Sequence, residues 1–137
     1  MGKTCCFFGH REVPEAIGEK LTAAVTSLIA DGFDTFYVGE EGAFDRLTQR
    51  VLSRAQAANP SVSCFVVHAY LPKEEPVLQG LFPAELERVP PRFAIERRNR
   101  WMLARADAVV AYVRYFSGGA AKMVRLAEAR GIPVSRV

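Results

Sequence analysis

The sequence contains 137 residues, half of them hydrophobic and 24% charged, which is enough for one hydrophobic core and too few for two. We therefore expect a single domain that spans residues 1–137. The net charge of +3 is too small to require an anionic partner, so we expect neither a nucleic acid nor a membrane surface as partner.

The pattern of apolar residues and cysteines excludes further classes. No stretch approaches the roughly eighteen uninterrupted apolar residues of a transmembrane helix, and the N-terminus lacks the apolar run of a signal peptide. The three cysteines, Cys5, Cys6 and Cys64, show no CxxC spacing, which supports neither a disulfide framework nor a metal site. We expect a cytoplasmic protein with buried free thiols and no cofactor.

The first half of the chain alternates between strands and helices. Short apolar runs next to glycine are typical of buried strands, whereas apolar residues spaced by three and four are typical of helices. The predicted elements are a strand at 3–8, a helix at 14–31, a strand at 34–39, a helix at 44–58 and a strand at 61–71. The short connections between them indicate a parallel sheet with right-handed crossovers.

The second half begins with an irregular connection. Residues 72–93 contain five of the eight prolines and no clear period, which is unusual for a connection that is neither functional nor mobile. The predicted elements after it are a helix at 94–106, a strand at 107–113, a helix from Gly118-Gly119 to Gly131 and a strand at 132–134. The five strands predict a doubly wound α/β sheet in the order 3-2-1-4-5, with helices on both faces.

Glycine-containing turns follow three of the predicted strands, at residues 9–11, 39–42 and 117–119. Glycine lets the backbone approach a ligand, and free N–H groups at the start of the next helix attract an anion such as phosphate. In this fold the turns share the edge where ligands bind. The alternative is that such turns need glycine for their own conformation. Near the third strand's end, His68 and Tyr70 either line the same pocket or lie partly exposed.

Each polar residue in these turns has more than one interpretation. Glu40 and Glu41 would repel a phosphate unless they face a sugar hydroxyl, an arginine or solvent. Asp45 is either a partner of the helix dipole or a ligand contact. His10 either exchanges a proton or hydrogen bond with a ligand or is an ordinary turn residue, and Arg11 beside it is a further candidate for ligand binding.

Six of the fourteen arginines lie between Arg88 and Arg105, where Glu96 is the single acid, so the local charge is +5. A local arginine cluster suits bidentate recognition of phosphate or carboxylate. Helical spacing predicts that Arg98 points toward the sheet, with Asn99 next to it. A buried arginine needs either a ligand anion or an Asp or Glu as partner.

The strings KTCCFFGHR, ERRNRWMLARADAVVAYV and SGGAAK together resemble the YpsA-like members of the SLOG superfamily. The resemblance covers nearly the whole chain outside residues 72–93, and TCCFFGHR differs from the YpsA-like opening TCCFTGHR only at Phe8. The superfamily includes the LOG phosphoribohydrolases and the DNA-processing protein DprA. The resemblance implies a Rossmann-like fold, a nucleotide-like ligand and a chain able to form a homodimer.

The LOG branch of the superfamily matches this sequence only in part. Arg98, Met102 and Asp107 match its Arg-Lys-x-x-Met segment and the following strand, with Asn99 in place of lysine. In the glycine turn that follows, alignment of the paired glycines places Arg125 at the position of the catalytic glutamate of that branch. The resemblance therefore favours a binding domain over a hydrolase.

We expect a sensor or effector domain that binds a nucleotide or a nucleotide-derived ligand. The expected ligand-binding residues are Gly9, His10, Arg11, Gly39, Glu41, Gly42, Asp45, Arg98, Asn99, Ser117, Gly118, Gly119 and Ala120. The alternative is a nucleoside 5'-monophosphate phosphoribohydrolase, in which Arg98 stabilises developing charge and Glu40 or Glu41 replaces the missing acid.

Overall fold

The computed structural model describes residues 2–74 and 76–137; Glu75, within the predicted connection at 72–93, and Met1 lie outside the described residues. The strands are β1 (Lys3–Gly9), β2 (Phe33–Val38), β3 (Ser63–Val67), β4 (Gln79–Leu81), β5 (Ala108–Tyr112) and β6 (Val134–Arg136). The helices are α1 (Ile17–Ala30), α2 (Ala43–Ala58), α3 (Pro91–Arg105) and α4 (Gly119–Ala129), with a short 3₁₀ helix at Ala84–Leu86.

The described strands form one parallel six-stranded sheet in the order β4-β3-β2-β1-β5-β6. The predicted α/β fold with a parallel sheet is confirmed, but the predicted number of five strands and the order 3-2-1-4-5 are wrong. The additional strand, β4, lies in the proline-rich connection and pairs with β3 through only three residues. A strand this short carries no readable alternation of apolar and polar residues.

Helix α3 begins at Pro91, three residues before the helix predicted from Ala94. Pro91 occupies the first turn, where the missing N–H of proline costs no hydrogen bond and its fixed φ suits a helix. The residues before Ala94 show no helical spacing of apolar side chains, so the sequence did not predict this first turn.

The core has two layers because successive side chains of each strand point to opposite faces of the sheet. Cys5 and Phe7 of β1 pack in the layer under α1 and α2, together with Cys64 of β3. Cys6 and Phe8 pack in the layer under α3 and α4. All three cysteines are buried free thiols, as predicted.

The adjacent strands β1 and β5 are followed by helices that contribute to opposite layers of the core. This arrangement opens a crevice at their carboxyl ends. The turns after β1, β2 and β5 meet at this edge of the sheet. Among the described residues, no helix combines the length and the apolar character that crossing a membrane requires.

Candidate functional site

A cleft of about 460 Å³ lies at the carboxyl ends of β1, β2 and β5. It is lined by eleven of the expected ligand-binding residues, namely Gly9, His10, Arg11, Gly39, Glu41, Asp45, Arg98, Asn99, Gly118, Gly119 and Ala120. Gly42, Ser117 and Glu40 do not line it. The structure therefore brings most of the predicted site together and adds Tyr115, which is not among the predicted residues.

Arg98 of α3 is buried beneath the cleft, with 2% of its surface exposed. Its Nη1 donates to the Val67 carbonyl oxygen at 2.9 Å, and its Nε donates to Asn99 Oδ1 at 2.8 Å. Its Nη2 forms an ion pair with the Glu41 carboxylate. A Cβ on Gly39 would lie 2.8 Å from the guanidinium carbon, so Gly39 leaves room for this arginine.

This geometry decides between the two partners that the sequence left open for Arg98. The partner in the structure is the carboxylate of Glu41, which compensates the buried positive charge without a ligand anion. Glu41 is held on the wall of the cleft by the same contact. The pair joins α3 to the turn between β2 and α2.

Asp45 lies in the first turn of α2 and is buried. Its Oδ2 accepts a hydrogen bond from the Glu41 N–H at 2.9 Å. Burial raises the pKa of Asp45 to about 7, although this hydrogen bond and the charge of Arg98 act in the opposite direction. Asp45 thus holds the turn and also presents to the cleft a carboxyl group that gains or loses its proton near neutral pH.

Two of the candidate glycines are explained by packing between the first two turns. Gly42 has a φ of 90°, and a Cβ there would lie 2.5 Å from the Cα of Arg11. The Arg11 carbonyl oxygen accepts the Ala43 N–H at 2.7 Å across this contact. A Cβ on Gly9 would overlap the ring of Phe44. Glycine is required here by the fold itself.

The third turn, before α4, is different. Gly118 has a φ of 100°, and, apart from chain neighbours and the backbone of α4 itself, no atom of the described residues lies within 4 Å of the position of a Cβ on Gly118 or on Gly119. Gly118 is the N-cap of α4, and no side chain in the described part of the chain caps the helix. The first N–H groups of a helix have no partner within it, and here they border an open cleft. This is the part of the site that can receive an anion.

His10, which follows β1, and Tyr115, which follows β5, form an aromatic pair in the lining of the cleft. Their ring centroids are 4.6 Å apart, with 37° between the planes. His10 Nε2 accepts the Arg114 N–H at 2.7 Å, and both burial and the charge of Arg114 lower the pKa of His10. The imidazole is therefore neutral at neutral pH. The sequence feature that could have indicated this pair is Tyr115-Phe116, which Ser117 separates from the two glycines.

Glu40 turns away from the cleft. Its Oε1 lies 3.0 Å from His68 Nδ1, and His68 is buried, which shows that it is not the partly exposed strand residue that the sequence allowed. Tyr70, by contrast, is exposed and donates its hydroxyl to the Pro91 carbonyl oxygen at 3.0 Å. Neither His68 nor Tyr70 lines the cleft.

The arginine cluster of α3 does not act as one surface. Arg100 lies outside the core and pairs with Glu96 at 3.3 Å, and Lys122 of α4 approaches the same carboxylate at 2.6 Å. Arg105 lies over the ring of Trp101, 3.8 Å from its centroid. Within the described residues, no group of three or more His, Cys, Asp or Glu side chains is placed to hold a metal ion.

No protein-family model matches the sequence, and no curated protein matches it. Solved structures do match. DNA processing protein A from Helicobacter pylori, described with a single-stranded DNA binding mode, has a TM-score of 0.69 and 15% identity over 98% of this chain and 64% of its own. DNA processing protein A (DprA) from Streptococcus pneumoniae has a TM-score of 0.71 and 12% identity over 98% of this chain and 50% of its own.

A third match is the structural genomics target TM1055, with a TM-score of 0.67 and 18% identity over 96% of this chain and 72% of its own. The chain spans about half to two thirds of the length of the two DNA processing proteins. At these identities the likeness shows the fold alone.

The comparison corrects the prediction about partners. The expectation of no nucleic acid partner is wrong, because a matching structure is that of a protein with a single-stranded DNA binding mode. The expectation was based on the net charge, which averages over the whole surface. The whole-chain charge does not show that Arg11 lines the cleft.

Proposed function

We propose that the cleft binds a nucleotide, either free or as one unit of a single strand of DNA. The observation that carries the proposal is the turn at Gly118-Gly119. It borders the cleft, has open space where side chains would be, and presents the uncapped start of α4. Such a helix end offers backbone N–H donors and a positive partial charge to a phosphate group.

The distribution of charge in the cleft predicts the orientation of the bound nucleotide. Glu41 and Asp45 follow β2, which β1 separates from β5, so the acidic side chains lie on the β2 side of the cleft and the start of α4 lies on the β5 side. The helix start attracts a phosphate more strongly than the acidic side does. Carboxylate oxygens accept hydrogen bonds, which suits the hydroxyl groups of a sugar or the amino group of a base. We therefore orient the phosphate toward α4 and the sugar toward α2.

The strand form of the ligand is supported by the fold likeness to a protein with a single-stranded DNA binding mode. The exposed side chain of Arg11 at the cleft suits a phosphate of the strand backbone. The opening TCCFFGHR supports a YpsA-like origin within the SLOG type, with a sensor or effector role for the bound nucleotide. A cytoplasmic location stays a prediction from the sequence.

The experiment is calorimetric titration of the protein with adenosine 5'-monophosphate and with a short oligothymidylate. In the variant Gly119→Asp, a negative charge occupies the open space beside the helix start, and we expect at least a tenfold loss of affinity for both ligands. The matched control Ala129→Asp adds the same charge at the other end of α4 and should leave both affinities within about twofold. Equal affinities in the two variants would refute the proposal.

Comparison of the affinities for the two ligands also shows whether the site binds a free nucleotide or a strand of DNA. A strand ligand gains from neighbouring phosphates, so its affinity should fall steeply with added salt, whereas that of the mononucleotide should fall less. An oligothymidylate that binds no more tightly than the mononucleotide at low salt would restrict the site to free nucleotides.

A second candidate function is hydrolysis of a nucleoside 5'-monophosphate to base and ribose 5-phosphate. It is favoured by Asp45, because a carboxyl group with a pKa of about 7 can donate a proton to the leaving base. Against it, Arg125 stands where LOG enzymes carry glutamate, and its Nη1 donates to the Phe116 carbonyl oxygen at 2.6 Å. That arginine holds the loop before α4. We therefore favour binding without hydrolysis.

A further inference from the structure

The loop between β5 and α4, residues 113–118, carries two exposed aromatic side chains. Tyr115 has 67% and Phe116 has 96% of its surface exposed. Large apolar rings at such exposure lose the stabilisation that burial would provide. Only Tyr115 of the two lines the cleft.

The loop is anchored although its aromatic side chains are exposed. The Arg114 N–H donates to His10 Nε2 at 2.7 Å, and Arg125 Nη1 donates to the Phe116 carbonyl oxygen at 2.6 Å. The Gly118 carbonyl oxygen accepts the Lys122 N–H at 3.1 Å, within the first turn of α4. The backbone is thus held at three points between the end of β5 and the start of α4.

His10 orients the ring of Tyr115. The imidazole packs edge-on against Tyr112, with 5.8 Å between centroids and 85° between planes, and it contacts Tyr115 at 4.6 Å. Because its Nε2 accepts a hydrogen bond, His10 is fixed in position and cannot rotate freely. One side of the Tyr115 ring is therefore supported, and most of its surface is still free to receive a second ring.

We propose that Tyr115 stacks on the base of the nucleotide whose phosphate lies at the Gly118-Gly119 turn. This deepens the proposed function and rests on it, because it names the ligand class as one that carries an aromatic base and excludes a sugar phosphate alone. Tyr115 stands three positions before Gly118, so their Cα atoms are at most about 11 Å apart, which is within the reach of one nucleotide. Base stacking on aromatic side chains is tolerant of base identity, so we expect little discrimination among the four bases.

The experiment uses 2-aminopurine ribonucleoside 5'-monophosphate, whose fluorescence is quenched when its base stacks on an aromatic ring, and ribose 5-phosphate as the ligand without a base. The wild-type protein should quench the fluorescence and bind the nucleotide about tenfold more tightly than ribose 5-phosphate. Tyr115→Leu should abolish the quenching and equalise the two affinities. Tyr115→Phe should retain both properties.

The matched control is Phe116→Leu, which alters the neighbouring, more exposed ring and should leave quenching and affinity within about twofold. If Tyr115→Leu quenches and binds like the wild type, the stacking proposal is wrong while the phosphate site at α4 stands. If the wild-type protein binds ribose 5-phosphate as tightly as the nucleotide, stacking is equally overturned. If it binds neither of these ligands and no oligothymidylate, both the stacking and the proposed function fail.

Discussion

The first two turns of the site and the third one look alike in sequence and differ in structure. All three contain glycine after a parallel strand. In the first two, the space beside the glycines is filled by Phe44, by the backbone of Arg11 and by the guanidinium of Arg98. Beside Gly118 and Gly119 the space is open. A glycine after a strand is therefore weak evidence for a ligand, and the space beside it is stronger evidence.

The two regions also differ in how their polar groups are used. The carboxylate of Glu41 pairs with Arg98, and that of Glu40 lies against His68, so the acids of the second turn are engaged within the protein. The N–H groups at the start of α4 have no such internal partner among the described side chains. The packed turns thus form a rigid wall, and the open turn offers the groups that a ligand can use.

The largest effect should come from the buried ion pair of the packed region. Arg98→Ala leaves Glu41 and the Val67 carbonyl oxygen without their donor, so we expect a loss of about 3 kcal/mol or more in the free energy of unfolding. The control Arg100→Ala removes only an exposed pair with Glu96 and should cost about 0.5 kcal/mol or less. Urea denaturation of the two variants measures the difference; similar losses would mean that Arg98 does not hold the wall.

The next effect compares a packed glycine with an open one. Gly42→Ala combines a φ of 90° with a Cβ 2.5 Å from backbone of the neighbouring turn, and should lower the free energy of unfolding by about 2–3 kcal/mol. The Cβ of Gly119→Ala meets no atom of the described residues within 4 Å beyond its chain neighbours and the backbone of α4, so the variant should change the free energy of unfolding by no more than about 0.5 kcal/mol. Thermal unfolding followed by circular dichroism gives both values. Equal losses in the free energy of unfolding would show that the packed and the open glycine turns do not differ.

A third effect concerns Asp45 and pH. Its pKa is about 7 in the folded protein against an ordinary value of 3.8, so between these values the folded state keeps a proton that the unfolded state has lost. This contribution to stability is largest below about pH 4, falls as the pH rises to about 7, and then levels off. Asp45→Asn should therefore stabilise the protein on the order of 2 kcal/mol at pH 8 and progressively less toward pH 4. Parallel stability curves for variant and wild type would contradict this assignment.

The smallest expected effect is on the hydrolysis of a nucleoside 5'-monophosphate. With Arg125 committed to the Phe116 carbonyl oxygen, we expect no release of ribose 5-phosphate from adenosine 5'-monophosphate above the uncatalysed rate. A coupled assay for ribose 5-phosphate tests this. Turnover of about 1 per second or faster, lost in both Asp45→Asn and Glu41→Gln, would show that the acid has moved to the second turn and would establish hydrolysis as the function.

Much of the fold could be predicted because burial leaves a period in the sequence. The strand at 3–8 follows from an apolar run, and the helix predicted at 14–31 follows from helical spacing, although in the structure it begins at Ile17. The strand at Gln79–Leu81 could not, because three pairing residues show no period. Its place beside β3 depends on contacts distant in sequence.

The candidate site could be predicted from the sequence to about the same extent as the fold. The inward direction of Arg98 follows from its place on a helix, and the meeting of the three turns follows from the parallel sheet. The pairing of Arg98 with Glu41, and the burial of His68 beside Glu40, depend on tertiary geometry alone. Tyr115 was missed because an exposed aromatic side chain leaves no periodic trace in the sequence.

Because side chains alternate along β1, the buried cysteines lie in different layers of the core, and their reactivity can report local unfolding of each layer. Burial raises the pKa of Cys5 and Cys6 and brings that of Cys64 to about 12, so their thiols do not react as thiolates while the sheet stays covered. Cys5 and Cys64 lie under α1 and α2, whereas Cys6 lies under α3 and α4. The order in which an alkylating reagent traps these thiols would therefore report which helical layer detaches first, with no label added to the chain.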